Sequence, residues 1–500
     1  MAKRKKRNAV TLLSLLLLLA ALIGVYYWYG GKQAVTEDTG EDTDTIDLGK
    51  IDKEQLSSLH YVYDDADLTL VKDGDVWKSQ AEPDRPIDQD HVSSMIGMID
   101  DLSATRLITE APENLADYGL DQPTSYLQGK LNDGTTVTLQ VGDKVSTGDG
   151  FYALVNEDKK VYLIESFIGN GLQYTNLEMT AVPETLSIEA ANINHISIDK
   201  RDGEDFELLY DDSGHRFDNS GSKLNSWYIL KPYKEGYTAD SSKVSTLQSN
   251  YTSFDYISCV DYSGTDLGKY GLDTPMAAIG LDYTVSRTEK LDTPEKDPAT
   301  GNEITEKTVY DPKEYTLLIG NTDAQEDYYV KIDGSSAVYT MDADAINKML
   351  TVDPFSIINP FVNIPNIDNV DKIDAGINGT TYTMTLQRTT SKNDKGEDEI
   401  RTAYTYNGSN VEEDVFKKLY QTIISVKFDA QIKEKVSTPQ VDPYLTLTYY
   451  LNDNTTVTAS YLPYNDSFYI IDTNGETRFF ADKRLVEDIV KAVTEFKITE

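Results

Sequence analysis

Two nine-residue stretches far apart in the chain share six letters in register: LADYGLDQP at Leu115–Pro123 and LGKYGLDTP at Leu267–Pro275. Leu, then Tyr-Gly-Leu-Asp, then Pro agree in both. A phrase that carries a catalytic group normally occurs once per active site. A phrase tied to a structural corner recurs with every copy of a fold. The letters suit a corner. Glycine after tyrosine takes a positive φ that other residues resist. Leucine points inward, aspartate bonds nearby backbone N–H groups, and proline starts an extended run. Asp121 and Asp273 are therefore expected to be structural, and the chain to consist of copies of one unit.

The flanking residues repeat the same order. In the first copy, DLTLVKDGDVWKSQ (Asp67–Gln80) alternates around Asp73-Gly74, a hairpin signal. Asp88-Gln89-Asp90 then opens a helix with Val92, Met95, Ile96, Ile99 and Leu102 at helical spacing. After the corner come the strands of YLQGKLNDGTTVTLQVGD (Tyr126–Asp143), FYALV and VYLIES. In the second copy, INHISIDK, FELLYD and SWYILKP lead to a helix from Asp240 bearing Val244, Leu247, Tyr251 and Phe254. MAAIGLDYTV, YTLLIGN, DYYVKID and AVYTMD follow its corner. The third copy is degenerate. It has the strands Gly379–Arg388 and Thr402–Gly408 and a helix from Val411 to Val426 with Val415, Leu419 and Ile423 on one face. Only STPQVDP (Ser437–Pro443) stands where the corner belongs, and a last helix runs from Lys483 to about Phe496. LNDNTTVT at Leu451–Thr458 nonetheless matches LNDGTTVT at Leu131–Thr138. The polar stretches Arg287–Glu314 and Ser391–Glu399 are expected as solvent-exposed loops, the first extending a hairpin of copy two. IINPFVNIP (Ile357–Pro365) is too apolar for a free linker and is expected to pack in a seam between neighbours.

The expected fold class is α+β: three tandem repeats, each an antiparallel sheet with one packed amphipathic helix, at residues 54–183, 184–356 and 357–500. They follow a basic tail (1–8), a transmembrane helix (9–29) and an acidic stalk (30–53). The tail carries Lys3, Arg4, Lys5, Lys6 and Arg7. Ala9–Tyr29 then runs 21 residues without a charge. At 1.5 Å per residue it spans about 31 Å, a bilayer's hydrocarbon thickness. Tyr26, Tyr27, Trp28 and Tyr29 form an interfacial belt at its far end. The positive-inside rule leaves the N-terminus in the cytoplasm and sends the rest outside, as a single-pass protein of the cell membrane. A cleaved signal peptide is the rival. It calls for a shorter apolar run and small residues before the cut, where Lys32 stands in Lys32-Gln33-Ala34.

These features resemble the bacterial domain-of-unknown-function 4340 family. The likeness rests on the Trp-bearing strands DGDVWKSQ and SWYILKP, the amphipathic helix, the YGLD-x-P corner and the glycine-turn hairpin. It also rests on a strand ending in apolar-Gly, LQVGD at Leu139–Asp143 and LLIGN at Leu317–Asn321. The resemblance covers the first two copies, and the third shares the layout alone. It implies single-pass envelope proteins, often associated with ABC transport systems of the gliding-motility type, with permease subunits as partners. It brings no catalytic residues.

Composition narrows the remaining chemistry. The formal net charge is −38, from 84 acids against 46 bases. That charge repels phosphates, so nucleic acid is not expected as a partner. The single cysteine, Cys259, permits no intrachain disulfide and is expected buried. The histidines His60, His91, His195 and His215 include no helical metal-binding pair. Ser220–Lys223 fits S-x-x-K by chance, in a loop rich in glycine and asparagine. Glu110 and Glu113 are an unremarkable acid pair in so acidic a chain. No catalytic residue, cofactor or metal is assigned. The 34 tyrosines are expected on half-buried sheet surfaces. The expected function is a non-enzymatic, membrane-anchored extracytoplasmic accessory or interaction protein. Two other readings stand beside it: a surface module binding cell-wall glycan or peptide through exposed tyrosines, and an envelope hydrolase.

Overall fold

A computed structural model of the 500-residue chain describes residues 45–497 apart from 147, 157, 212–226, 235, 297–300, 393–397, 434–440 and 474. The basic tail, the Ala9–Tyr29 run and most of the acidic stretch lie outside the described residues, as do His215, Ser220–Lys223 and Ser437–Gln440. Among the described residues, no helix is long and apolar enough to cross a membrane. The chain forms two compact units. One comprises the described residues up to Pro83 with Gln89–Thr175, and the other comprises Asp84–Asp88 with Asn176–Glu500.

The first unit is built on an eight-stranded antiparallel sheet. Its order is Val76–Ser79, Ala66–Asp73, Leu56–Tyr63, Ser125–Leu131, Thr136–Lys144, Phe151–Val155, Val161–Ile164 and Arg106–Thr109. The helix Gln89–Asp100 buries Val92, Met95, Ile96 and Ile99. Gly129 leaves the room Ile99 needs, since a Cβ there would lie 2.9 Å from the Ile99 Cδ1. The Gln89 side chain pins the edge strand by accepting from the Trp77 N–H at 2.8 Å and donating to the Trp77 carbonyl at 2.9 Å.

The second unit holds two nine-stranded antiparallel sheets laid out in the same way. One runs Tyr237–Thr238, Trp227–Lys231, Phe206–Tyr210, Ile193–Lys200, Ala277–Lys296, Glu303–Thr322, Tyr328–Ile332, Val338–Met341, Ser258–Asp261. The other runs Ser409–Val411, Asp398–Tyr406, Thr380–Lys392, Val370–Ile377, Leu445–Leu451, Thr456–Pro463, Phe468–Thr473, Glu476–Asp482, Ala430–Gln431. In all three sheets the strand that arrives first sits in the middle. It pairs on one side with its own hairpin and on the other with the strand that follows the corner. Each of these central strands also breaks register at the same place, at Leu56/Ser58, Ile193/His195 and Val370/Lys372. A bulge is a positional feature rather than a defect, so its recurrence marks equivalent positions.

One buried apolar cluster runs through the second unit from Ile188 to Val493 and includes Ile357, Ile358 and Val362. The aromatic rings of both sheets meet at Phe479, whose centroid lies 5.3 Å from Tyr237, 5.5 Å from Tyr233 and 4.6 Å from Phe428. The Tyr237 hydroxyl bonds the Thr473 hydroxyl at 2.9 Å, and the Lys234 N–H donates to the buried Glu476 carboxylate at 3.1 Å.

Two expectations need correction. Each sheet is followed by a second helix, Ser166–Asn170, Ala343–Leu350 or Lys483–Thr494, where one helix per unit was expected and only the last of these was foreseen. Ala343–Leu350 is too short to show a period. It is fixed by its cap, Asp342 accepting from the Ala345 N–H at 2.9 Å, and by burial of Ile346, Met349 and Leu350. The segment Arg287–Glu314 is not a loop. Its strands continue the ladder as far as Lys296 opposite Glu303. Pairing satisfies the backbone while the charges stay in water, and Arg287 Nε reaches Asp311 at 2.9 Å across the ladder. Ser391-Lys392 and Asp398-Glu399 likewise pair as strand ends.

Candidate functional site

The repeated phrase folds into the same corner twice. Asn114 Oδ1 accepts from the Ala116 N–H at 3.2 Å and opens a single turn, Leu115–Tyr118. The turn ends at Gly119, with φ 66°, and the Leu120 N–H closes it on the Leu115 carbonyl at 3.0 Å. In the second copy the turn is Leu267–Tyr270, Gly271 has φ 70°, and the Leu272 N–H reaches the Leu267 carbonyl at 2.9 Å. Such a left-handed close is the place where glycine escapes the Cβ penalty. The leucines then enter small apolar clusters, Leu120 with Leu154 and Val161, and Leu272 with Val338. The tyrosines stack edge-on, Tyr118 against Tyr152 at 5.1 Å and Tyr270 against Tyr329 at 4.9 Å.

A second motif completes the corner. The strand endings VGD and IGN lie directly beneath it. A Cβ on Gly119 would lie 2.5 Å from the Asp143 carboxyl carbon, and one on Gly271 would lie 2.6 Å from the Asn321 Oδ1. In return, a Cβ on Gly142 or Gly320 would intrude on the carbonyl oxygen of Tyr118 or Tyr270. Both strands bulge here. Pairing goes from Val141–Ala153 to Lys144–Phe151, and from Ile319–Val330 to Thr322–Tyr328. In the third sheet Leu462 and Pro463 occupy the corresponding positions, and pairing runs unbroken from Ala459–Thr473 to Pro463–Tyr469. The corner glycine and the strand-end glycine are thus two halves of one contact, and the third sheet lacks both.

The acids of the phrase face water. Asp273 Oδ1 accepts from the Thr274 N–H at 2.9 Å, one residue on rather than two, and Asp121 is exposed at the equivalent place. The three described histidines do not converge. His60 Nε2 meets Asp67 at 2.9 Å, and His91 stacks on Tyr174 at 3.9 Å. His195 is held between Glu207 at 3.4 Å and Asp282 at 3.1 Å. It therefore belongs to a charged network on the sheet face, which also links Lys231 to Asp199 at 3.2 Å, rather than to apolar packing. Burial pushes the Cys259 thiol up, which leaves it a poor nucleophile. Glu110 and Glu113 are exposed. Among the described residues, no group of three His, Cys, Asp or Glu side chains is placed to hold a metal ion.

Many tyrosines sit half-buried on the sheets as expected, Tyr126, Tyr329 and Tyr450 among them, but others go further in. Tyr61, Tyr228, Tyr251, Tyr449 and Tyr461 are among the largest fully buried side chains. Several reach backbone carbonyls, Tyr61 that of Tyr174 at 3.0 Å and Tyr251 that of Met349 at 2.6 Å. A hydroxyl that ends on a carbonyl lets the ring go fully inside.

The family Domain of unknown function (DUF4340) matches residues 77–234 and again 227–445. The chain belongs to this family. Each match begins at a tryptophan on an outer strand of its sheet, Trp77 or Trp227, so the two matches mark internal repeats in the DUF4340 chain. No curated protein and no solved structure matches it.

Proposed function

We propose that this protein is a membrane-anchored, extracytoplasmic accessory or interaction subunit of the cell envelope, without catalytic activity, that works beside an ABC transporter. The observation that carries the reading is the uncharged Ala9–Tyr29 run between a basic cluster and an acidic, β-rich chain. The transporter link rests on the family resemblance alone. The repeated corner is spent on architecture, which favours a scaffold that presents surfaces over an enzyme. We count three copies of the unit, since the third sheet's strand order and central bulge support its equivalence to the first two. Fractionation tests the reading. The full chain should resist carbonate extraction from membranes and co-purify in mild detergent with permease subunits of an ABC transporter. A chain starting at Thr45 should be soluble and folded. A full chain found wholly in the soluble fraction would overturn the proposal.

A further inference from the structure

We propose that the cleft beside the helix Ser241–Gln248 binds a small zwitterion with an apolar side chain, either a free α-amino acid or a short peptide. The cleft is about 380 Å³, within the range of small-molecule sites. It opens where the second helix of this layer stops short. Ala343–Leu350 has eight residues and the chain turns away at Thr351, whereas Lys483–Thr494 has twelve in the third sheet's layer. Leu247, Val352 and Ile357 give the cleft apolar wall, with Leu247 and Ile357 largely buried. Asn250 adds a side-chain amide that makes no hydrogen bond with any described residue.

The charges decide the ligand class. Among the described residues, Lys243 and Asp353 are the only charged side chains lining the cleft. Neither forms an ion pair with the other or with any described residue, although elsewhere lysines in this acidic chain commonly meet carboxylates, as Lys231 and Lys372 do. The nearby carboxyl of Asp240 is held below its usual range first by a hydrogen bond from Ser242 and only in small part by Lys243. Asp353 Oδ1 accepts from the Phe355 N–H at 3.1 Å, which leaves its second oxygen for a ligand. One cation and one anion on the same cleft without contact suit a ligand that carries both opposite charges. Apolar wall in the same cleft suits an aliphatic side chain. An anion alone would meet Asp353 and the net charge of the chain.

The inference stands independently of where the chain is anchored. Calorimetric titration of the full chain in detergent tests it, with L-leucine and L-alanyl-L-leucine as probes and uncharged N-acetyl-L-leucinamide as control. Saturable binding of at least one zwitterion is expected, with the control weaker by about tenfold or more. Lys243→Met and Asp353→Asn should each weaken binding by about tenfold at unchanged Tm, since Asn keeps the oxygen that caps Phe355. Thr246→Trp should fill the cleft and abolish binding. No heat from either zwitterion up to about 10 mM would overturn the proposal. So would equal binding of the control, or full affinity in both charge variants.

Discussion

Substitution of Gly320 by alanine probes the corner contact from the side the repeated phrase does not contain. The new Cβ would sit far inside 3.0 Å of the Tyr270 carbonyl oxygen and 3.0 Å from the Leu272 Cγ. One of these is backbone and the other is buried, so neither yields as an exposed side chain would. The carbonyl must retreat by on the order of 1 Å, and with it the turn whose Gly271 already touches Asn321. Overpacking of a tight site costs about 1–3 kcal/mol, and this one belongs at the upper end. A loss of about 3 kcal/mol should lower Tm by about 4 °C in a unit of this size, read by calorimetry. Gly376→Ala is the control. Its Cβ would meet Thr446 no closer than 3.8 Å and its φ is not positive, so its Tm should hold within about 1 °C. A Gly320→Ala protein as stable as its parent would show that the corner and the strand end do not touch.

Two further outcomes follow from the core of the second unit. Burial pushes Tyr251, Tyr420 and Tyr461 well above their ordinary value of 10. Above pH 10 the unfolded chain therefore binds fewer protons than the folded one. The stability is complete below pH 10 and falls as pH rises, by about 1.4 kcal/mol per pH unit for each such tyrosine. The tyrosinate absorbance of the buried tyrosines should then appear together with the loss of circular dichroism above about pH 10.5, after that of the exposed ones, and ionisation of every tyrosine in a folded protein would contradict this. Phe479→Ala removes the ring at which both nine-stranded sheets meet and should cost about 3–5 kcal/mol in a single, earlier transition. Separate melting of the two sheets in the parent protein would refute their shared core.

Much of this fold is legible in local sequence, and what is not has physical causes. The Asp73-Gly74 hairpin, the Asp240 cap and the positive φ at Gly119 and Gly271 are encoded within a few residues of where they act. The partnership of Gly142 with the Tyr118 carbonyl is not, because the contact joins segments remote in sequence. Its only trace is that the third copy lacks Tyr-Gly-Leu and apolar-Gly together. The central strand Leu56–Tyr63 escapes notice because Ser57, Ser58 and His60 blur its alternation, though its pairing on both sides leaves no doubt of its place. The segment Arg287–Glu314 reads as loop because Pro294, Pro312 and its charges belong to a two-stranded ribbon, where half of the backbone groups face water in any case. Lys243 lies on one helix and Asp353 caps another, Pro354–Ile357, and neither carries a local signal of binding. Only the tertiary fold brings them to one cleft.

Topology tests the central functional claim most directly. The native Cys259 is buried and its thiol is pushed up, so it contributes little background to thiol labelling. Single cysteines at Asn8→Cys and Glu37→Cys can then be challenged in spheroplasts with a membrane-impermeant maleimide. The account predicts that the Glu37→Cys protein is labelled at once, that the Asn8→Cys protein is labelled only after lysis, and that the N-terminal residues remain on the mature chain. Labelling of Asn8→Cys without lysis, or a mature chain that begins between Gly30 and Thr39, would contradict the anchored, outward-facing arrangement.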